Sequence, residues 1–125
     1  MCADFAYGVD IVSIARMRKA LDRSGERFVR RIFAGDELAF ADDPGFLATR
    51  FAAKEAFFKA LGTGVSGGVR WRDFVLPPDR DGISCPVVGG RSADYLDGRI
   101  VLASVSRTSE IAVAVVFLEG SGDRE

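Results

Sequence analysis

The spacing of apolar residues changes character along this chain. Between Phe5 and Val12, the run Phe-Ala-Tyr-Gly-Val-Asp-Ile-Val gathers aromatic and β-branched residues around one glycine and one aspartate, the composition of a short buried strand. From Ser13 to about Ile32, Ile14, Met17, Leu21, Phe28 and Ile32 keep helical spacing; Ser13 is placed to cap the first turn, and Ser24-Gly25 to break the run into two helices. Asp42-Asp43-Pro44-Gly45 reads as a turn. Phe46 to Leu61, Ala- and Phe-rich with Leu47, Phe51 and Phe58 as its apolar stripe, predicts the strongest helix, closed by Gly62. A glycine-rich loop, Gly62 to Gly68, follows. Trp71 to Leu76, Ser84 to Val88, Ile100 to Ser106 and Ile111 to Leu118 have strand composition, separated by turn signals at Pro77-Pro78, Asp81-Gly82 and Asp97-Gly98, with Arg107 to Glu110 as a hairpin connection. Helices first and antiparallel strands later predict one α+β domain over residues 1–119, with the first strand joining the later sheet and a frayed polar tail at 120–125.

Composition narrows the chemistry. A length of 125 residues gives one core, and 48% hydrophobic with 28% charged residues is a globular balance. The absence of histidine excludes Ser-His-Asp triads, Cys-His pairs and His-liganded zinc, so carboxylates or lysines must carry any proton transfer. Two cysteines, Cys2 and Cys85, make neither a disulfide framework nor a thiolate metal site. They read as free thiols, and with no secretory or membrane-spanning pattern the expected compartment is the cytoplasm. The net charge of -1 conceals an asymmetry: residues 14–31 carry seven basic side chains against two acidic ones. If helical phase survives Ser24-Gly25, Arg16, Lys19, Arg23, Arg27 and Arg30 share one face.

Two acidic positions stand out. Asp10 interrupts an apolar strand, where a carboxylate needs a helix to cap, an arginine or a cation. Glu55 lies about 40° around the central helix from Phe51, at the edge of the buried face, and Lys59 follows at i+4. That arrangement is either a surface ion pair or a hard-cation ligand beside a phosphate-neutralising lysine. Spacing alone does not join Asp10 to Glu55.

Gly8-Val-Asp-Ile-Val-Ser-Ile-Ala-Arg16 and Arg50-Phe-Ala-Ala-Lys-Glu-Ala-Phe-Phe-Lys-Ala-Leu-Gly-Thr-Gly64 closely resemble the two motifs of holo-acyl-carrier-protein synthases, 4'-phosphopantetheinyl transferases of the short type. The distance between the motifs, Trp71-Arg-Asp73 and the strand Ala112 to Phe117 extend the resemblance over nearly the whole chain. It implies the fold of that family, helices packed on a small antiparallel sheet, and transfer of phosphopantetheine from coenzyme A to a serine of an apo acyl-carrier protein, releasing adenosine 3',5'-bisphosphate. It further implies Mg2+ held by Asp10 and Glu55, with Glu55 as base directly or through a metal-bound water. Lys59 would neutralise charge at the pyrophosphate. Arg50, Gly62, Gly64, Arg107 and Thr108 would line the coenzyme site, and Arg16 and Arg27 would dock the acidic carrier protein. A homotrimer is implied, with active sites between subunits and Asp10 and Glu55 supplied across the boundary.

Three positions depart from the family pattern. Arg107 stands where a histidine usually follows the penultimate strand, Ser13 replaces an acidic residue after the Asp motif, and Ala6 replaces a first glycine. Arginine supplies permanent charge to a phosphate but cannot relay a proton as imidazole does. A second reading therefore stays open: a divergent relative that keeps the fold and binds coenzyme A or carrier protein, with its chemistry lost or changed.

Overall fold

In the computed structural model, which describes residues 5–77 and 83–120, a sheet lies with one face against a central helix. The first strand, β1 (Phe5–Ser13), runs into α1 (Ile14–Ile32), and a 3-10 turn at Gly35–Phe40 leads to α2 (Pro44–Leu61). A second 3-10 turn, Trp71–Asp73, is followed by β2 (Phe74–Val75), β3 (Ile83–Ser84), β4 (Val87–Val88), α3 (Gly90–Leu96), β5 (Ile100–Arg107) and β6 (Ile111–Glu119). The main sheet has the order β1-β6-β5-β3, every neighbour antiparallel, while β2 and β4 form a separate ribbon. The α+β class and the return of the first strand to the sheet agree with the sequence.

Period-two alternation fixes which side chains meet α2. Val101 and Ala103 on β5 and Ala114, Val116 and Leu118 on β6 are buried with Ala52, Ala53 and Ala56 of the helix, Gly8 on β1 lies against Ala56, and Ala112 joins Leu47, Ala48 and the α1 residues in a second cluster. Alanine facing alanine lets the two layers approach closely, and Gly8 takes this to its limit: a Cβ there would lie 2.0 Å from the Ala56 carbonyl oxygen. The opposite face is open. Phe5, Tyr7, Val9 and Ile11 are all exposed, Tyr7 at 62%, so β1 is a half-buried strand rather than a fully buried one.

Asp43 caps α2, accepting the Phe46 N–H at 3.1 Å; Pro44 occupies its first turn, and Gly62 ends it at φ 83°. The helix is covered nearly all round, including Thr49, Arg50 and Lys54, because the sheet, α1 and the 74–77 segment enclose it. Its more open side carries Phe51, Glu55 and Lys59; Phe51 is half-buried there, packed against the α1 cluster and stacked on Trp71 at 5.1 Å.

Ser13 caps α1 by accepting the Arg16 N–H at 3.2 Å. Gly25, at φ 48° and ψ -123°, breaks the helix; Ile14 and Met17 are buried before the kink, Val29 and Ile32 after it. Helical phase is therefore not continuous, and the basic residues form two exposed groups, Arg16, Lys19 and Arg23, then Arg27 and Arg30, instead of one face. The expected strand Trp71–Leu76 opens as a 3-10 turn, Trp71–Asp73, and is strand only at Phe74–Val75, and the expected strand Ser84–Val88 divides at Cys85-Pro86 into β3, paired to β5, and β4, paired to β2. Asp97-Gly98, read as a turn between strands, terminates α3: Asp97 has φ 56° and Gly98 φ 76°. Pro78, Asp81-Gly82, Cys2 and residues 121–125 lie outside the described residues. Among the described residues, no helix is long and apolar enough to cross a membrane.

Candidate active site

Gly8 is the pivot of the site, because its missing side chain lets β1 press on α2 where Asp10, two residues further on the same face, meets the more open side of the helix. Lys59 Nζ donates to Asp10 Oδ1 at 2.8 Å and to the Val9 carbonyl at 3.0 Å. The other oxygen, Asp10 Oδ2, is buried without a partner. Glu55 stands beside Asp10: loss of hydration, then the adjoining Asp10 carboxylate, push the Glu55 carboxyl up to about 7, against the pull of Lys59. The hydrogen bond to Asp10 holds the Lys59 ammonium above its ordinary range.

This arrangement replaces two expectations. Lys59 pairs with Asp10 from another element, not with Glu55 along its own helix, and Asp10 leaves the capping of α1 to Ser13. Asp10 and Glu55 also come together within one chain: the close packing of Gly8 on Ala56 joins them directly. Two adjacent carboxylates with an orphaned buried oxygen suit a hard cation, and no cluster of three potential ligands occurs among the described residues. Mg2+, which keeps several waters and substrate phosphate oxygens in its shell, fits such a sparse donor set.

A cavity of about 310 Å³ opens beside Glu55, lined by Ile11, Arg16, Met17, Phe28 and Phe51 among others. Arg16 reaches it from α1. Arg27 is exposed beyond the Gly25 kink.

The remaining expected residues fall into two places. Gly62 and Gly64 adjoin Lys59 at the end of α2, both with positive φ, and the Gly62 N–H is shared between the Phe58 and Lys59 carbonyls. Arg107 lies at the other end of the helix, followed by Thr108, and Arg50 sits between that end and Glu55. Gly45 precedes Glu55 by ten residues, about 15 Å of helix axis. The Arg107 guanidinium lies over Gly45, where a Cβ would sit 2.0 Å from NH1, and NH1 is 3.6 Å from Asp43 Oδ1. Arg50 is buried and donates to the Leu76 carbonyl (3.4 Å), Thr49 Oγ1 (3.1 Å) and the Pro77 carbonyl (2.6 Å), with its guanidinium carbon 4.2 Å from the Phe46 ring centre. Burial lowers the Arg50 pKa; Glu37 opposes this, and Arg107 adds to it. Thr108 Oγ1 accepts the N–H groups of Glu110 and Ile111, both at 3.1 Å, fixing the hairpin turn.

One polar element escaped the sequence reading. Lys54 Nζ is 3.0 Å from Glu37 Oε1, both side chains fully buried, and it also donates to the Phe74 carbonyl. Glu37 Oε1 accepts the Ala34 N–H at 3.0 Å, tying the first 3-10 turn to α2 and β2. Burial raises the Glu37 pKa and lowers that of Lys54, and their mutual attraction opposes both shifts. A lysine inside an Ala- and Phe-rich run was the available signal.

The sequence profile of the 4'-phosphopantetheinyl transferase superfamily matches residues 6–116. The holo-[acyl-carrier-protein] synthase of Koribacter versatilis is 40% identical over 119 residues, covering 90% of this chain and 95% of the relative. That of Vibrio cholerae serotype O1 (strain M66-2) is 43% identical over 119 residues, covering 90% and 94%. Among solved structures, the Helicobacter pylori holo-[acyl-carrier-protein] synthase in complex with coenzyme A is similar at a TM-score of 0.79 and 30% identity, covering 90% of this chain and 99% of that one. The Neisseria meningitidis synthase gives 0.80 and 34%, covering 91% and 97%.

Proposed function

This chain belongs to the 4'-phosphopantetheinyl transferase superfamily, and on that premise we propose that Asp10, Glu55 and Lys59 form the centre at which it transfers 4'-phosphopantetheine from coenzyme A to a serine hydroxyl of an apo acyl-carrier protein. Adenosine 3',5'-bisphosphate leaves. The observation that carries the reading is the meeting of an Asp10 oxygen without a partner, the Glu55 carboxyl and Lys59 at one point between β1 and α2.

The residues divide the work. Asp10 and Glu55 would hold Mg2+, which would supply positive charge to the pyrophosphate oxygens. Glu55, in its ionised form, accepts the serine proton as the serine oxygen bonds to the phosphorus that carries pantetheine. The bridging P–O bond breaks, and Lys59, one helical turn away and steered by Asp10, offsets charge that develops on the departing phosphate. Gly62 and Gly64 form a wall without side chains next to Lys59. Arg107 and Arg50 bind the coenzyme's more distant phosphate, Arg50 also clamping the 74–77 segment from below. Thr108 holds the turn that carries Arg107. Arg16, beside the cavity, and Arg27 steer the acidic carrier protein.

Self-association completes the site. Phe5, Tyr7, Val9 and Ile11, with Ile100 and Ile111 nearby, leave an apolar sheet face that a second copy of the chain would cover. Arg107, over Gly45, lies about 15 Å along α2 from Glu55 and Arg50 about half that, a separation that assembly into a trimer would close by bringing one copy's arginines towards the next copy's carboxylates.

The test is the intact mass of an apo acyl-carrier protein after incubation with this protein, coenzyme A and Mg2+, with an EDTA control. A gain of one phosphopantetheine that chelator abolishes is expected. No gain across several carrier proteins, with coenzyme A still bound, would assign the chain to the divergent, non-transferring kind of relative.

A further inference from the structure

Arg107 is held in an unusual way. Its guanidinium lies against the first turn of α2 in a slot that exists only because residue 45 is glycine. The nearest carboxylate oxygen, Asp43 Oδ1, is 3.6 Å away, beyond the range of about 2.7–2.9 Å for a charge-assisted hydrogen bond. Both side chains are close to half exposed. That same Oδ1 accepts the Phe46 N–H at 3.1 Å, so Asp43 is anchored by its duty as helix cap and cannot follow the arginine. The pair thus joins a fixed anion to a movable cation through a loose Coulomb contact.

Building on the transferase reading, we propose that Asp43 is a positioning residue that sets coenzyme affinity: it parks Arg107 in the Gly45 slot and competes with a phosphate monoester of the nucleotide for that guanidinium. The phosphate wins because it carries more charge and its oxygens can meet the guanidinium bidentately, which a capping carboxylate at 3.6 Å does not. Asp43 lowers affinity without touching the reacting atoms. Its charge also shields Arg107 from Arg50, whose guanidinium feels Arg107 as a repulsive neighbour. An arginine at position 107 would otherwise hold phosphate strongly enough to slow release of adenosine 3',5'-bisphosphate.

Asp43→Asn and Asp43→Ser remove the charge and keep a competent cap. With Mg2+ and a saturating apo carrier protein, each is expected to lower KM for coenzyme A about threefold, the scale of an exposed ion pair, with kcat unchanged or slightly reduced. Calorimetric titration with adenosine 3',5'-bisphosphate should tighten by the same factor, whereas AMP, which lacks the 3'-phosphate, should not respond. In the Arg107→Gln background the Asp43→Asn effect should vanish. An unchanged or raised KM, or a gain that persists without Arg107, overturns the proposal. A chain that transfers nothing but shows the calorimetric coupling would refute the transferase reading and leave the Asp43 competition standing.

Discussion

Two lysines five residues apart on α2 form two ion pairs with opposite purposes. Lys54 meets Glu37 with both side chains fully buried, and the pair locks a 3-10 turn and β2 to the helix. Lys59 meets Asp10 where its own side chain is 55% exposed, with the Glu55 carboxyl alongside; each pair leaves one carboxylate oxygen, Glu37 Oε2 and Asp10 Oδ2, without a partner. The chemistry of the pairs is alike, and the burial differs. A dry pair has almost no freedom to exchange partners, so it serves architecture; a wet one can give up its contacts to a cation or a phosphate, so it serves reaction.

Breaking the dry pair should show the largest effect on stability. Lys54→Met strands the Glu37 carboxylate and is expected to cost about 3–5 kcal/mol in denaturant unfolding, with the double variant Lys54→Met/Glu37→Leu recovering most of it. Equal stabilities of the single and double variants would show that the pair is not coupled. At the wet pair the signs reverse: Glu55→Ala should leave unfolding nearly unchanged and lower transfer about a thousandfold in single-turnover assays. Retention of full activity would remove Glu55 from the role of base and ligand.

Gly8→Ala tests the contact that brings β1 to the wet pair. Its Cβ would meet three backbone atoms of α2, at 2.0, 2.9 and 3.0 Å, which cannot swing aside. A loss of about 1–3 kcal/mol and a roughly hundredfold fall in kcat are expected as Asp10 moves away from Glu55. Wild-type kcat in a folded Gly8→Ala protein would contradict this placement.

The smallest effect concerns protons. Glu55 has a folded-state pKa of about 7, above its ordinary 4.5, so the metal-free native state binds that proton more tightly than the unfolded chain. Stability therefore declines as pH rises from about 4.5 through about 7. Glu55→Gln removes the decline, and in EDTA it should stabilise the protein at pH 8 but not at pH 4, by less than about 1 kcal/mol after solvent screening. A pH-independent difference between the two proteins would count against the shift.

Much of this was legible because it is written locally. Ser13, Asp43, Pro44 and Gly62 mark helix ends through short-range hydrogen bonds and backbone preference, and Ile111 to Leu118 alternates as a strand with one face inside. The motif residues around Asp10 and Glu55 pointed to one centre through resemblance, and the Gly8–Ala56 contact supplies the physical cause. What was hidden depends on distant partners. Helix α3 begins with glycine and lasts seven residues, held by Asp73, which accepts the Ser92 hydroxyl at 2.6 Å from nineteen positions away. Lys54 carries no local mark of burial, since lysine belongs at surfaces and only the fold supplies Glu37. Gly25 was noticed as a break, but its backbone angles decide that the basic face does not continue past it.

The bare sheet face formed by Phe5, Tyr7, Val9 and Ile11 has a thermodynamic consequence. When association covers such a surface, each added copy acts as a ligand of the folded state, so the melting temperature follows the logarithm of protein concentration. Dilution alone should then soften the molecule, and the stability of one chain becomes a property shared by its population.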